Sequence, residues 1–145
     1  MNDSHPEAMS TALVVDMANV VGSVPDGWWR DRAGAAERLL SGLSGLVART
    51  VTGPDETPVR IAGIVAVLEG RANLAKDPPS RAGGALEIVR AAGSGDDTVV
   101  QLVKARVAAG DQVLVVSADR GLGARLPAAV TRTGPSWLND LLGRG

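Results

Sequence analysis

The chain has 145 residues, 45% of them hydrophobic, and a formal net charge of −1. That describes a folded domain of ordinary size and excludes both a disordered polyelectrolyte and a globally basic nucleic-acid binder. There is no cysteine and a single histidine, His5, which excludes disulfides, thiolate metal sites, cysteine nucleophiles, a histidine-based triad and a multi-histidine zinc centre. Chemistry in this chain must rest on carboxylates, hydroxyls, lysine or arginine.

Residues 1–10, MNDSHPEAMS, carry acids and a proline and lack a basic stretch leading into an apolar one. They read as a loose tail, not a secretory signal, ahead of one domain over residues 11–145. No apolar run approaches the ~20 residues of a membrane span, so a cytoplasmic protein with no membrane partner is expected. TALVVD, residues 11–16, is a short apolar run ending in an acid and predicts a buried strand. NVVGSVPDG reads as a loop. From Trp29 to Val51 the spacing of Ala33, Ala36, Leu39, Leu40, Leu43, Leu46 and Val47 is helical. TGPDETP is a turn cluster, and VRIAGIVAVLEG, residues 59–70, is a second strand, again closed by an acid.

Residues 71–84 contain two prolines, two glycines and three cations, and read as a mobile loop opening with a short helical turn. ALEIVRAA predicts a third strand. GSGDDTVVQLVKARVAAG predicts a helix capped by Ser94 or Asp96 and stopped by Gly110. DQVLVVSAD is the clearest strand of the chain. RGLGARLPAAV gives a short helix and then a weak strand near residues 128–131. GPSWLNDLL closes the chain as a helix started by Pro135 or Ser136. Strands that are continuous apolar runs, alternating with helices, predict an α/β fold: a three-layer α/β/α sandwich around a mostly parallel central sheet.

In such sheets ligands bind at the carboxyl ends of the strands, and there the acids fall. Asp16 ends the first strand, Glu69 the second; Asp96 and Asp97 follow the third, and Asp119 the fourth. Read singly, Asp96, Asp97 and Asp119 are ordinary helix-capping acids, and Glu69 is a solvated one. Asp16 is harder to dismiss, because a charge at the end of a buried strand must be paired or used. Together the acids repel one another unless a cation intervenes, and hard oxygen donors match one or two Mg²⁺ or Mn²⁺ ions. Such ions lower the pKa of bound water and stabilise charge on a phosphoryl group.

The segments VVDMANVVG, VAVLEG, GSGDDTVVQLV and VLVVSADRGL, in that order, resemble the metal-site segments of PIN-like nucleases of the NYN branch, and in particular the bacterial group that includes ribosome-associated endoribonucleases. The resemblance spans roughly residues 12–126. It implies a PIN-like sheet and Mg²⁺- or Mn²⁺-dependent cleavage of RNA, single-stranded RNA above all. It implies Asp16, Asp96 or Asp97, and Asp119 as metal ligands, Glu69 as a further ligand, and Asp16, Asp97 and Asp119 as the catalytic set. Asn19 and Ser117 are the supporting residues. A homodimer and a ribosomal or protein partner remain open, as do two other readings: a phosphohydrolase of nucleotides or small phosphate esters, and an inactive binding module.

Arg71, Lys76, Arg81 and Arg120 are the candidates for substrate phosphate, the first three on the loop after the second strand and the last beside Asp119. Of Trp28 and Trp29, at least one is expected to cover the core, and one could stack on a base. Trp137 is expected to anchor the last helix, and Gly93 and Gly95 to form a plain turn.

Overall fold

A computed structural model describes residues 8–79 and 85–144. His5, Arg81 and most of the expected tail lie outside the described residues. The elements run β1 (Met9–Asp16), α1 (Met17–Val21), a 3-10 turn (Trp28–Arg30), α2 (Arg32–Ser44), β2 (Thr50–Thr52), β3 (Pro58–Leu68), a second 3-10 turn (Gly70–Leu74), β4 (Leu86–Arg90), α3 (Gly95–Ala108), β5 (Gln112–Val116), α4 (Arg120–Arg125), β6 (Thr131–Thr133) and α5 (Pro135–Leu142). No described helix is long and apolar enough to cross a membrane.

The sheet is ordered β2-β3-β1-β5-β6, with β4 also on β3. β1 lies at its centre, parallel to β3 on one side and β5 on the other. β3 is long enough to carry two neighbours on one flank: β2 pairs antiparallel with its first residues, and β4 parallel with its last. Alternation along the strands then splits the core in two. Leu13, Val15, Ile64, Ala66, Leu114 and Val116 face α1, α2 and α5, where Val20, Leu39, Leu43 and Leu138 meet them. Val14, Val65, Val67, Val113 and Val115 face α3 and α4, meeting Val99, Val103 and Leu122. This is the expected three-layer α/β/α sandwich with a mostly parallel sheet. Each fully buried Val or Leu contributes about 1.5–3 kcal/mol, so the core fixes the strand ends firmly.

Several boundaries differ from the sequence reading. β1 begins at Met9, inside the expected tail. The expected loop after it opens with α1, because the Asp16 carboxylate accepts the Asn19 N–H at 3.4 Å and starts a turn. The helix expected over residues 29–51 is shorter. Its start is a separate 3-10 turn, Asp31 caps α2 through the Gly34 N–H at 2.9 Å, and the helix stops at Gly45. Thr50–Thr52 are an edge strand, so TGPDETP is the loop of a hairpin. Leu46 and Val47 still pack on the core, from beyond the helix end. The last strand covers Thr131–Thr133, not residues 128–131.

The segment after β3 does begin with a helical turn, but its first half is tied down. Arg90 donates to the carbonyls of Asn73 (3.1 Å) and Ala75 (2.7 Å) and to Asp77 (2.8 Å), while Asn73 donates to the Ala91 carbonyl at 2.9 Å.

Candidate functional site

The parallel strands β1, β3 and β5 all end on one rim. Asp16 closes β1 and is 5% exposed. Ser117, the residue after β5, is fully buried and donates to Asp16 Oδ2 at 2.9 Å. The same Ser117 Oγ accepts the Asp119 N–H at 3.1 Å. Asn19, on α1, does not reach Asp16 with its side chain; its Oδ1 accepts the Ala118 N–H at 2.8 Å, while its own N–H goes to Asp16. Asn19 and Ser117 thus stitch the end of β1 to the loop after β5, across about a hundred residues of sequence.

Asp119 caps α4 through the Leu122 N–H at 3.0 Å. Glu69 accepts the Gly95 N–H at 3.1 Å and so supplies the cap of α3. The expected caps do not act: Ser94 occupies the capping position without a side-chain bond. Gly95 belongs to this contact, since a Cβ there would stand 3.1 Å from the Glu69 carboxylate. Each of these acids has a structural duty, yet a carboxylate has about four acceptor positions and each retains free ones.

The two neighbouring aspartates at the start of α3 part company. Asp97 is exposed and paired with Arg125 at 2.7 Å. Asp96 is half-buried and faces the other acids. Burial pushes the Asp96 carboxyl above its ordinary range, and the charges of Asp119 and Glu69 push it further, against some relief from Arg125. Burial likewise raises Asp16; the bonds from Ser117 and Asn19 lower it in part, and Asp96 and Glu69 raise it again. Asp16, Glu69, Asp96 and Asp119 therefore share one electrostatic neighbourhood, and Arg125, which sequence spacing gave no reason to single out, is its counter-charge.

Among the described residues no three such groups are spaced to hold a single ion as their side chains stand. The donor chemistry nonetheless suits a hard divalent cation, because Mg²⁺ keeps several waters and needs only one or two carboxylates with substrate phosphate completing its shell. Asp16, Asp96 and Asp119, with Glu69 beside them, are the residues that would hold it.

Beside Glu69 lies a hollow of about 260 Å³ lined by Met17, Val21, Trp28, Arg32 and Gly70. It adjoins a second, about 600 Å³, that shares Arg32 and Gly70 and continues past Trp29, Arg30, Arg71 and Leu74. Arg71 thus borders this cleft. Arg120 follows Asp119 at the surface. Lys76 lines neither hollow; its backbone N–H is held by Glu37 at 3.0 Å. Trp28 packs against the core, Trp29 is half exposed, and Trp137 anchors α5 by donating to the Thr52 carbonyl at 3.0 Å.

No family model matches the sequence, and no curated protein matches it. Among solved structures the chain is similar to Rae1 (YacP) from Bacillus subtilis, in its W164L mutant, with a TM-score of 0.64 over 92% of this chain and 75% of that one. At 13% identity the likeness is one of fold, and it agrees with the three-layer arrangement around a mostly parallel sheet.

Proposed function

We propose that this protein is a metal-dependent ribonuclease that hydrolyses phosphodiester bonds at the rim formed by Asp16, Glu69, Asp96 and Asp119. The observation that carries the reading is Asp16: a carboxylate held at 5% exposure, with other acids as its charged neighbours. Like charges gathered at strand ends cost stability, and a cation brought to them offsets that cost. A bound Mg²⁺ or Mn²⁺ supplies an activated water and charge neutralisation at the phosphoryl group.

The chain's own residues set the rest. Ser117 fixes the Asp16 carboxylate and, through the Asp119 N–H, the loop carrying the second acid. Asn19 locks the same loop at Ala118. Asp97 is bound by Arg125, so Asp96, not Asp97, takes the place at the rim. The hollows begin at Glu69 and adjoin one another through Arg32 and Gly70, an extended form suited to a polymer more than to a small phosphate ester. The fold likeness to Rae1 and the resemblance of the four acidic segments to NYN nucleases support the same reading.

The test is cleavage of single-stranded RNA in Mn²⁺, with nucleoside triphosphates assayed in parallel. Asp16→Asn and Asp119→Asn are each expected to lower RNA cleavage by at least about a hundredfold with the fold intact by circular dichroism. Cleavage that survives both substitutions, or proceeds equally in chelator, overturns the proposal.

A further inference from the structure

The cleft leading away from Glu69 has a composition the acids do not explain. Trp28 and Trp29 meet edge to face, 5.8 Å between ring centroids. Arg32 lies over the Trp28 ring at 5.2 Å and Arg30 over the Trp29 ring at 5.9 Å. Arg71 lines the same hollow from the 3-10 turn after β3. Among the described residues none of these three guanidinium groups is in an ion pair, whereas Arg90, Arg106 and Arg125 all are. The acid that shares the hollow, Asp31, is turned to the Gly34 N–H as the cap of α2. Trp29 and Leu74, 50% and 77% exposed, are two of the three large apolar side chains left in water among the described residues, and both border this hollow.

In a chain with net charge −1, a strip that combines unpaired arginines with exposed indole is complementary to a polyanion whose units have flat faces. We infer that the groove from Glu69 through Trp28 and Arg32 to Trp29, Arg30 and Arg71 is a binding track for unpaired RNA, with bases stacking on Trp29 and phosphates meeting Arg30 and Arg71. The inference rests on the nuclease reading for the nature of the polymer and adds where the strand lies beyond the scissile bond. Stacking needs bases released from a duplex, so the track selects single strands. Because Arg32 and Gly70 belong to both hollows, a strand seated on Trp29 is led to Glu69, the acid at the edge of the proposed site.

The experiment is fluorescence anisotropy of a short, unstructured, fluorescein-labelled RNA, titrated with the full chain in chelator over a range of salt. Chelator separates binding from cleavage: a protein that binds the strand through these residues but never cuts it sinks the nuclease reading and leaves the track standing. Trp29→Leu is expected to weaken binding about tenfold, and Trp29→Phe to retain most of it, since the phenyl ring still stacks. Arg71→Ala should reduce the slope of log affinity against log salt by about 0.7. Both positions are exposed, and melting curves verify each fold. Equal affinity of Trp29→Leu and wild type, an unchanged salt slope in Arg71→Ala, or duplex RNA binding as tightly as the single strand overturns the inference.

Discussion

At the amino ends of the strands, Arg106 reaches Glu87 at 3.2 Å and Asp111 at 3.6 Å, so opposite charges meet there and are neutralised in place. At the carboxyl ends, Asp16, Glu69, Asp96 and Asp119 are set against one another, and Arg125, the cation that acts on Asp96, is paired with Asp97. A hollow of about 460 Å³ opens at the amino end too, bordered by Ser10, Thr11, Glu87 and Arg106, so concavity does not distinguish the two. The treatment of charge does. One end is arranged for a stable domain. The other keeps like charges together, a repulsion that proton uptake or a bound cation would relieve, as expected of the site proposed for chemistry.

The contrast is most exposed at Ser117, the buried hydroxyl between Asp16 and Asp119. Ser117→Ala should reduce cleavage about 10- to 100-fold and move the acid limb of the pH profile upward, because Asp16 loses the strongest of the bonds favouring its charged form. A variant that keeps wild-type rate and pH profile would show that this contact serves packing alone.

A thermodynamic test comes next. The folded-state pKa of Asp16 lies above its ordinary 3.8, so ionisation costs stability: the penalty is absent below the ordinary value and grows as pH rises through the folded one. In chelator at neutral pH, Asp16→Asn should therefore melt at or above wild type, and the advantage should disappear as pH falls toward the ordinary carboxylate range. Mn²⁺ should raise the melting temperature of wild type and not of the variant. A variant less stable than wild type at every pH contradicts the charge argument. The smallest effect belongs to the other end. Arg106→Ala breaks half-exposed pairs and should cost under about 1 kcal/mol in denaturant titration, with cleavage unchanged.

Much of the architecture was legible because strand and helix periods differ. The apolar runs ending in Asp16 and Glu69, and DQVLVVSAD, appear as central strands. What the sequence hides is local. Leu46 and Val47 kept the helical spacing of α2 although the helix had stopped at Gly45, since a residue can pack on the core from a turn as well as from a helix. That hid Thr50–Thr52, whose β-branched threonines suit a strand. α1 looks like loop in the sequence because its start depends on one carboxylate bond within a five-residue helix. The position of the acids at strand ends could be read from order along the chain. Which of Asp96 and Asp97 faces inward could not, because it depends on Arg125, 28 residues further on. The pairing of tryptophans with Arg30 and Arg32 left a trace in WWRDR, an aromatic-cationic cluster whose orientation only the packed structure gives.

β1 precedes the other described elements in this sequence yet occupies the middle of the sheet, and one of its two flanking strands, β5, comes about a hundred residues later. Contacts so distant along the chain form slowly. A nascent or proteolysed fragment ending before Ser117 holds Asp16 and Glu69 without Asp119 or the hydroxyl that positions Asp16. For the proposed hydrolytic site, completion of the domain therefore doubles as a safeguard: the set of acids cannot assemble on a fragment that ends before Ser117.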